Sequence, residues 1–170
     1  DEYIKELTTI SLSPEAISRH KDMKIVYTPI HGTGVKLVPA ALKAYGFTNI
    51  IHVPEQDVVS GDFPTVISPN PEEPAALAMA VEKAKETDAE LVMASDPDAD
   101  RVGAAVKNNE GEWVLLNGNQ TALMFVYYLI TRWKELGKIN GKEYIVKTIV
   151  TTETIKTIAE RNGVEMYDVY

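Results

Sequence analysis

The sequence predicts an α/β fold: a mainly parallel sheet flanked by helices with an added antiparallel hairpin, followed by the start of a second α/β unit. Two observations support this fold class. Short apolar or β-branched runs alternate with amphipathic stretches of helical length. Glycine or proline separates many of these segments. Alternation on this scale implies right-handed crossovers, which place ligand-binding loops at the carboxyl ends of the strands.

The first half of the chain alternates strands and helices. A lead-in helix is expected where Ser13 can serve as cap and Pro14 as first helical residue. The segments that follow are predicted in order, by composition and by the residues that end them, as a strand at 24–28, a glycine loop at 31–34, a helix at 35–45, a strand at 49–53, a helix at 75–86 and a strand at 91–94.

The second half adds a hairpin and a further unit. Residues 103–106 and 112–116 flank Asn108-Asn109-Glu110-Gly111, whose turn chemistry predicts antiparallel strands at one sheet edge. A helix is expected from Asn117 to about Lys134. Strand, helix and strand are then predicted at 144–150, 151–161 and 165–169, with Thr151 and Thr152 as the cap of the helix.

Three carboxylates spaced two residues apart follow the most apolar predicted strand. Asp96, Asp98 and Asp100 occupy alternate positions of the loop after residues 91–95. Such a loop can fold three carboxylate oxygens around one ion, and oxygen ligands suit magnesium, calcium or manganese rather than zinc. The alternative is a solvated acidic turn. We favour the cation site because the three charges would otherwise repel one another.

Counting residues separates this loop from other acidic motifs. A helix-loop-helix calcium loop starting at Asp96 needs Gly at its sixth position and Glu at its twelfth, where the chain has Arg101 and Lys107. An aspartyl-nucleophile phosphatase also begins Asp-x-Asp, but it requires Thr or Val where Asp100 stands, so it is kept as an alternative. The excess of acidic residues and the lack of a basic stripe make nucleic acid an unlikely partner.

Composition narrows the class of protein further. The net charge of -8 argues against binding to membrane surfaces, and the longest apolar run, residues 122–130, is far shorter than the roughly 20 residues of a transmembrane helix. The chain has no cysteine, and its opening residues lack the apolar core of a signal peptide. We therefore expect a cytoplasmic protein without a membrane partner.

The sequence allows more than one role for two residue groups near the predicted strand ends. The loop His31-Gly32-Thr33-Gly34 could bind an anion through its amides, or it could be a plain tight turn, and His31 has no assignable role. Arg101 directly follows the third carboxylate. Its guanidinium can neutralise the cluster or bind a phosphate.

Three motifs in this order resemble the α-D-phosphohexomutase superfamily, which includes phosphoglucomutase and phosphomannomutase. They are Thr28-Pro29-Ile30-His31-Gly32-Thr33-Gly34, Pro69-Asn70-Pro71-Glu72 and Asp96-Pro97-Asp98-Ala99-Asp100-Arg101. The resemblance implies a lead-in helix and linker at residues 1–21, the family's metal-binding second domain at 22–116 and the truncated start of its third at 117–170. Residues 61–64 and 111–113 look most like the phosphoglucomutase and phosphopentomutase branch.

The resemblance also implies a reaction and its residues. Family members interconvert sugar 1-phosphates and sugar 6-phosphates through an active-site phosphoserine and a bisphosphate intermediate. For a pentose, the 5-phosphate takes the place of the 6-phosphate. By resemblance, Asp96, Asp98 and Asp100 would hold Mg²⁺. Arg101 would be catalytic, steadying the phosphosugar or the phosphoserine loop, and Lys147 would contact a substrate phosphate.

Several family motifs do not occur in the sequence. We find no phosphoserine loop, no sugar-selecting loop and no Arg-x-Ser-Gly-Thr phosphate loop, and the first residue is not Met. We therefore expect a piece of a longer enzyme, inactive alone, whose partners are a phosphorylated sugar and the missing domains. The alternatives are a non-catalytic module that binds a cation or sugar phosphate, and the aspartyl-nucleophile phosphatase.

Overall fold

A computed structural model describes residues 2–170 and divides the chain into two compact units that meet in sequence between Leu116 and Asn117. The elements of the first unit, in chain order, are α1 (Glu2–Thr9), α2 (Pro14–Arg19), β1 (Lys24–Thr28), α3 (Gly34–Tyr45), β2 (Asn49–His52), α4 (Pro74–Thr87), β3 (Leu91–Ser95), β4 (Val102–Lys107) and β5 (Trp113–Leu116). Those of the second unit are α5 (Gly118–Glu135), β6 (Tyr144–Thr148), α6 (Thr154–Arg161) and β7 (Glu165–Val169).

The first unit is built on one sheet with the strand order β2-β1-β3-β4-β5. Strand β1 pairs in parallel with both β2 and β3, whereas β4 and β5 form the antiparallel hairpin. The predicted fold class and the edge position of the hairpin are confirmed. Because Ser95 of β3 pairs with Val102 of β4, the acidic loop is the tight connection between two neighbouring strands.

The core of the first unit lies between α4 and the sheet. Leu77, Ala80 and Ala84 of α4 are fully buried and cluster with Val26 of β1 and Val92 of β3. These small and aliphatic side chains allow the helix to lie close to the central strands. Helix α1 packs on α3, where the hydroxyl of Tyr45 donates to the carbonyl of Leu7 at 2.6 Å, and the predicted helix that begins at Pro14 is α2.

The second unit has a smaller core and a two-stranded parallel sheet, β6 beside β7. Its first helix begins with a capping box, in which Asn117 and Gln120 satisfy each other's backbone amides. The predicted Thr151–Thr152 cap is only partly correct: Glu153 directly precedes α6 without a side-chain cap bond, but the Thr154 amide donates to the Thr152 hydroxyl at 3.3 Å. Residues 148–151 instead form a turn, closed by the bond from the Thr151 amide to the Thr148 carbonyl.

Within residues 2–170, no helix combines the length and apolar character needed to cross a membrane.

Candidate metal centre

The three predicted ligands are brought together by a bend in the acidic loop. The amide of Ala99 donates to the carbonyl of Asp96 at 3.0 Å, and Ala99 adopts the left-handed conformation with φ of 62°. Oxygen atoms of Asp96, Asp98 and Asp100 then lie within 4.8 Å of one another. A non-glycine residue in this conformation is strained by about 1 kcal/mol, which other contacts of the loop must offset.

Asp96 is the buried member of the triad and is held by Arg101. Its residue surface is 1% exposed. One carboxylate oxygen accepts from the Arg101 amide at 3.0 Å, and the other accepts from the Arg101 Nε at 2.7 Å. Burial is the largest single effect and raises the pKa of Asp96, but the two hydrogen bonds and the positive charge of Arg101, together with a hydrogen bond to Asp100, outweigh it, so the pKa lies below the usual 3.8.

The two exposed carboxylates, Asp98 and Asp100, repel each other, and a bound cation would reduce this repulsion. The charge of Asp98, and then that of Asp96, raises the pKa of Asp100 above its usual 3.8. Arg101 reaches Asp100 only at 3.7 Å, with Nε already directed at Asp96. The loop therefore combines three carboxylates with one arginine and keeps an excess of negative charge.

The donor set fits a hard divalent cation. All three groups are carboxylates, so the oxygen ligation that magnesium, manganese and calcium prefer is available. Two ligands of one magnesium ion lie at most about 4.2 Å apart, and two ligands of calcium about 5 Å apart. The 4.8 Å limit on the observed oxygen separations brings the triad within a small adjustment of either ion.

The glycine loop docks onto the acidic loop. The amide and the hydroxyl of Thr33 both donate to the carbonyl of Pro97, at 2.8 and 3.1 Å. The amide of Gly32 binds the Pro29 carbonyl, and that of His31 binds the Gln56 carbonyl. Because these three amides are used inside the protein, the structure favours the tight-turn interpretation of this loop over the anion site.

Close approach explains why glycine stands at positions 32 and 34. A Cβ atom on Gly32 would lie 2.4 Å from the Pro97 Cα. One on Gly34 would lie 2.4 Å from the Tyr27 hydroxyl oxygen and 2.7 Å from the Ser95 Oγ, and these two hydroxyls are hydrogen-bonded to each other. Gly32 therefore permits contact between the two loops, and Gly34 permits the start of α3 to approach the ends of β1 and β3. Neither position is required for a left-handed φ angle.

The Pro69-Asn70-Pro71 segment contacts the strand that follows the acidic loop. A Cβ atom on Gly103 would lie 2.2 Å from the Pro71 carbonyl oxygen. Gly103 is the second residue of β4, immediately beyond Arg101 and Val102. The glycine loop thus contacts the acidic loop itself, and the Pro69-Asn70-Pro71 segment contacts the strand that follows it, two contacts that the spacing of the motifs did not indicate.

His31 has a structural setting. It is buried, and its ring nitrogens lie 2.8 Å from the Val58 carbonyl and 2.8 Å from the Thr65 hydroxyl. The buried Gln56 side chain joins the same network through the hydroxyls of Thr65 and Thr28. Sequence analysis missed Gln56 and Thr65, since an isolated polar residue in a loop carries no motif.

Lys147 belongs to the second unit and is engaged by two carboxylates. Its ammonium group lies 2.8 Å from Glu153 and 2.5 Å from Asp168, and these partners raise its pKa, Asp168 most strongly. The side chain is only 3% exposed. Its role in binding a substrate phosphate stays a prediction.

The bond between Arg101 and Asp96 gives a testable pH dependence. Replacing Arg101 with Met removes the side-chain donor, and we expect a melting temperature lower by about 2–5 °C at neutral pH. The depressed pKa of Asp96 means that this stabilisation is present above 3.8 and is lost as the pH falls through the folded-state pKa. Wild type and Arg101→Met should therefore converge below that pH.

Thermal unfolding across the acid range checks this expectation. Lys83→Met is the matched control, because it breaks an ion pair with Glu86 on the surface of α4. The control should lower the melting temperature little at any pH. A deficit in Arg101→Met that persists unchanged in acid would contradict the charge-assisted bond to Asp96 as the source of the stabilisation.

A family model matches the chain. Residues 1–111 match the model described as phosphoglucomutase/phosphomannomutase, alpha/beta/alpha domain II. This match includes the whole acidic loop, the glycine loop and the lead-in helices.

Individual relatives point the same way. The chain is 40% identical over 144 residues to the probable phosphoribomutase of Schizosaccharomyces pombe, covering 84% of this chain and 24% of the relative. It is 34% identical over 169 residues to the phosphoglucomutase of Staphylococcus saprophyticus, covering 99% and 29%. The chain thus spans only about a quarter of the length of these relatives.

A solved structure supports the fold. The crystal structure of a phosphoglucomutase/phosphomannomutase family protein from Burkholderia thailandensis has a TM-score of 0.74 with this chain, at 22% identity. The alignment covers 99% of this chain and 32% of that one. At this identity the likeness concerns the fold alone.

Proposed function

Because the chain belongs to the phosphoglucomutase/phosphomannomutase family, we propose that it is the metal-binding domain, with the start of the next domain, of a magnesium-dependent phosphosugar mutase. The family resemblance inferred from the three motifs is thereby confirmed. The proposal assigns residues 22–116 to the family's second domain and 117–170 to the opening of the third. The reaction would interconvert sugar 1-phosphate and 6-phosphate, or the pentose 5-phosphate, through a phosphoserine and a bisphosphate intermediate in the remainder of the enzyme.

The observation that carries this proposal is the close approach of three carboxylates on a loop that is hydrogen-bonded to the glycine loop. Asp96, Asp98 and Asp100 would hold Mg²⁺, with water or a phosphate oxygen completing its shell. When bound, the ion offsets negative charge on the transferring phosphoryl group. Asp96 keeps its carboxylate ionised because Arg101 donates to it, so this ligand is ready for a cation at neutral pH.

Arg101 has donors left for a phosphate. A guanidinium carries five N–H groups, and the Nε is the one directed at Asp96. The side chain is 55% exposed, so its remaining donors face solvent at the edge of the triad. We propose that they bind a phosphoryl oxygen of the sugar or of the phosphoserine. Lys147 is the second proposed phosphate contact, and it would have to exchange a carboxylate partner for the phosphate.

The names of the relatives support a proposal for the substrate class. The S. pombe and S. saprophyticus proteins are named for ribose and glucose phosphates, respectively. We propose a hexose or pentose phosphate substrate on this basis. The cysteine-free sequence suits the reducing cytoplasm in which we propose that the enzyme acts.

The named relatives do not support the phosphatase alternative, because they are called phosphoribomutase and phosphoglucomutase. The remaining alternative is a non-catalytic module with the same metal loop.

Turnover by the full-length gene product separates an enzyme from a module. We expect it to convert glucose 1-phosphate or ribose 1-phosphate, to lose activity with a chelator and to recover it with added Mg²⁺. The 170-residue chain alone should show no turnover. A full-length product that binds magnesium through the triad yet converts neither sugar phosphate would support the module instead.

Proton competition at Asp100 gives a further expectation. Its raised pKa means that the carboxyl stays protonated to a higher pH than usual, so an ion must displace that proton. Magnesium affinity should rise with pH through the range just above 3.8 and level off at higher pH. Asp96, with its lowered pKa, is already ionised there.

Magnesium titrations at stepped pH check this dependence. Asp100→Asn should bind more weakly than wild type and lose the slope in this range. A wild-type affinity that does not change with pH there, or an unchanged slope in Asp100→Asn, would contradict the assignment of Asp100 as a ligand.

A further inference from the structure

We propose that the glycine loop, residues 31–34, is a positioning element for the acidic loop, and that by fixing the Pro97 peptide it makes the triad prefer a small divalent cation over a larger one. This inference rests on the proposed function of the triad as a cation site. It gives Gly32 and Thr33 a role in ion choice although neither residue is a ligand.

Two hydrogen bonds and a close backbone approach join the glycine loop to the acidic loop. Thr33 donates to the Pro97 carbonyl twice, from its amide and from its hydroxyl. The backbone of Gly32 lies against Pro97 so closely that a Cβ atom would fall 2.4 Å from the Pro97 Cα and 2.6 Å from its carbonyl oxygen. Pro97 stands between Asp96 and Asp98, so the peptide that is held is the one that connects two ligands.

The glycine loop is itself held rigidly. Ile30 and His31 have φ angles of 46° and 63°, a conformation that is rare for such side chains and especially for a β-branched one. The two ring contacts of His31 and the bond from the Ser60 amide to the His31 carbonyl maintain this conformation. Strain of this kind persists only where the surroundings over-determine it. The loop is therefore a fixed support.

A fixed support affects small and large ions differently. Magnesium demands near-ideal octahedral geometry at about 2.0–2.1 Å, whereas calcium accepts flexible shells at about 2.3–2.6 Å. Asp98 is exposed, so the path of the backbone on either side of it decides where its carboxylate lies. Loosening Pro97 should therefore weaken magnesium binding more than calcium binding.

Thr33→Val is the first test because it removes only the hydroxyl bond. The chain offers a closely matched control in Thr48, whose amide and hydroxyl both donate to the Lys21 carbonyl at 2.8 and 3.0 Å. Amide hydrogen exchange of the metal-free chain should be about 3- to 10-fold faster at Ala99 and Arg101 in Thr33→Val. Thr48→Val should leave these two amides at the wild-type rate.

Titration with Mg²⁺ alone and with Ca²⁺ alone tests the consequence for ion choice. Thr33→Val should lower the ratio of magnesium to calcium affinity by about threefold or more, since a net hydrogen bond changes an equilibrium by that order. Thr48→Val should lower the stability of the fold without changing this ratio. A general loss of stability would lower the affinity for both ions equally. The affinity ratio therefore distinguishes a positioning role of Thr33 from a general contribution to stability.

Gly32→Ala is the stronger perturbation, and Gly61→Ala is its control. A Cβ atom at Gly61 has no neighbouring atom within 4 Å. We expect Gly32→Ala to reduce magnesium affinity by roughly tenfold or more and calcium affinity by less. Gly61→Ala should bind both ions as wild type does.

The outcomes separate this inference from the proposed metal site. If the wild-type chain binds both ions, and Thr33→Val has unchanged amide exchange and an unchanged affinity ratio, the positioning role alone is overturned. Equal changes in Thr33→Val and Thr48→Val would also overturn it. A wild-type chain that binds neither ion would overturn the proposed site and the ion choice with it, while the exchange measurement would still decide whether the glycine loop holds Pro97.

Discussion

Replacing Gly103 with Ala should destabilise the first unit by about 3 kcal/mol or more. The added Cβ would lie 2.2 Å from the Pro71 carbonyl oxygen and 2.8 Å from its carbonyl carbon. Both are backbone atoms, so no flexible side chain can move aside. Relief requires β4 or the Pro69-Asn70-Pro71 segment to shift, and either movement breaks the contact beyond the acidic loop.

Tryptophan fluorescence during urea unfolding can measure this loss in the correct unit. Trp113 packs against the core of the first unit, whereas Trp133 lies on α5 of the second. A Trp133→Phe background therefore leaves a reporter of the first unit alone. Gly61→Ala is again the matched control and should change the unfolding free energy by no more than about 0.5 kcal/mol. A Gly103→Ala midpoint equal to that of wild type would contradict the close contact with Pro71.

The fold class and the acidic loop were predictable from the sequence for clear physical reasons. Alternating strand and helix signals specify a mainly parallel sheet, and the Asn108–Gly111 turn specifies the hairpin at its edge. The charge and spacing of carboxylates at alternate positions after a buried strand predict a cation site, and the structure does bring the three carboxylates together. These features depend on local composition, which a single sequence contains.

The contacts around the loop could not be predicted in the same way. Gly32 and Gly103 are required because of backbones more than 30 residues away, at Pro97 and Pro71, and one sequence does not contain that distance information. Ala99 takes a left-handed conformation that local preference would give to glycine. Thr151 does not cap α6, since its hydroxyl bonds to that of Thr148 within the turn at residues 148–151 and only Thr152 contacts an amide of the helix.

Asp98→Asn should abolish saturable magnesium binding to the chain. The change removes one of three anionic ligands while keeping the size of the side chain. Because Asp98 is exposed, its replacement should cost the fold little. Loss of one charged ligand from a site with three should weaken binding by about 100-fold or more.

Asp88→Asn is the control for net charge. Asp88 precedes β3, at the opposite end of the strand from Asp96, and it pairs with Lys107 on the surface. Both variants change the charge of the chain by the same amount. A general electrostatic attraction of cations to this acidic protein would weaken equally in the two, whereas a specific site distinguishes them.

Calorimetric titration of Mg²⁺ into the wild-type chain, Asp98→Asn and Asp88→Asn tests the assignment of the triad most directly. We predict one saturable site in the wild type and in Asp88→Asn, and none in Asp98→Asn. Equal binding by the two variants, or no binding by the wild-type chain, would contradict the proposal that Asp96, Asp98 and Asp100 form a preformed magnesium site.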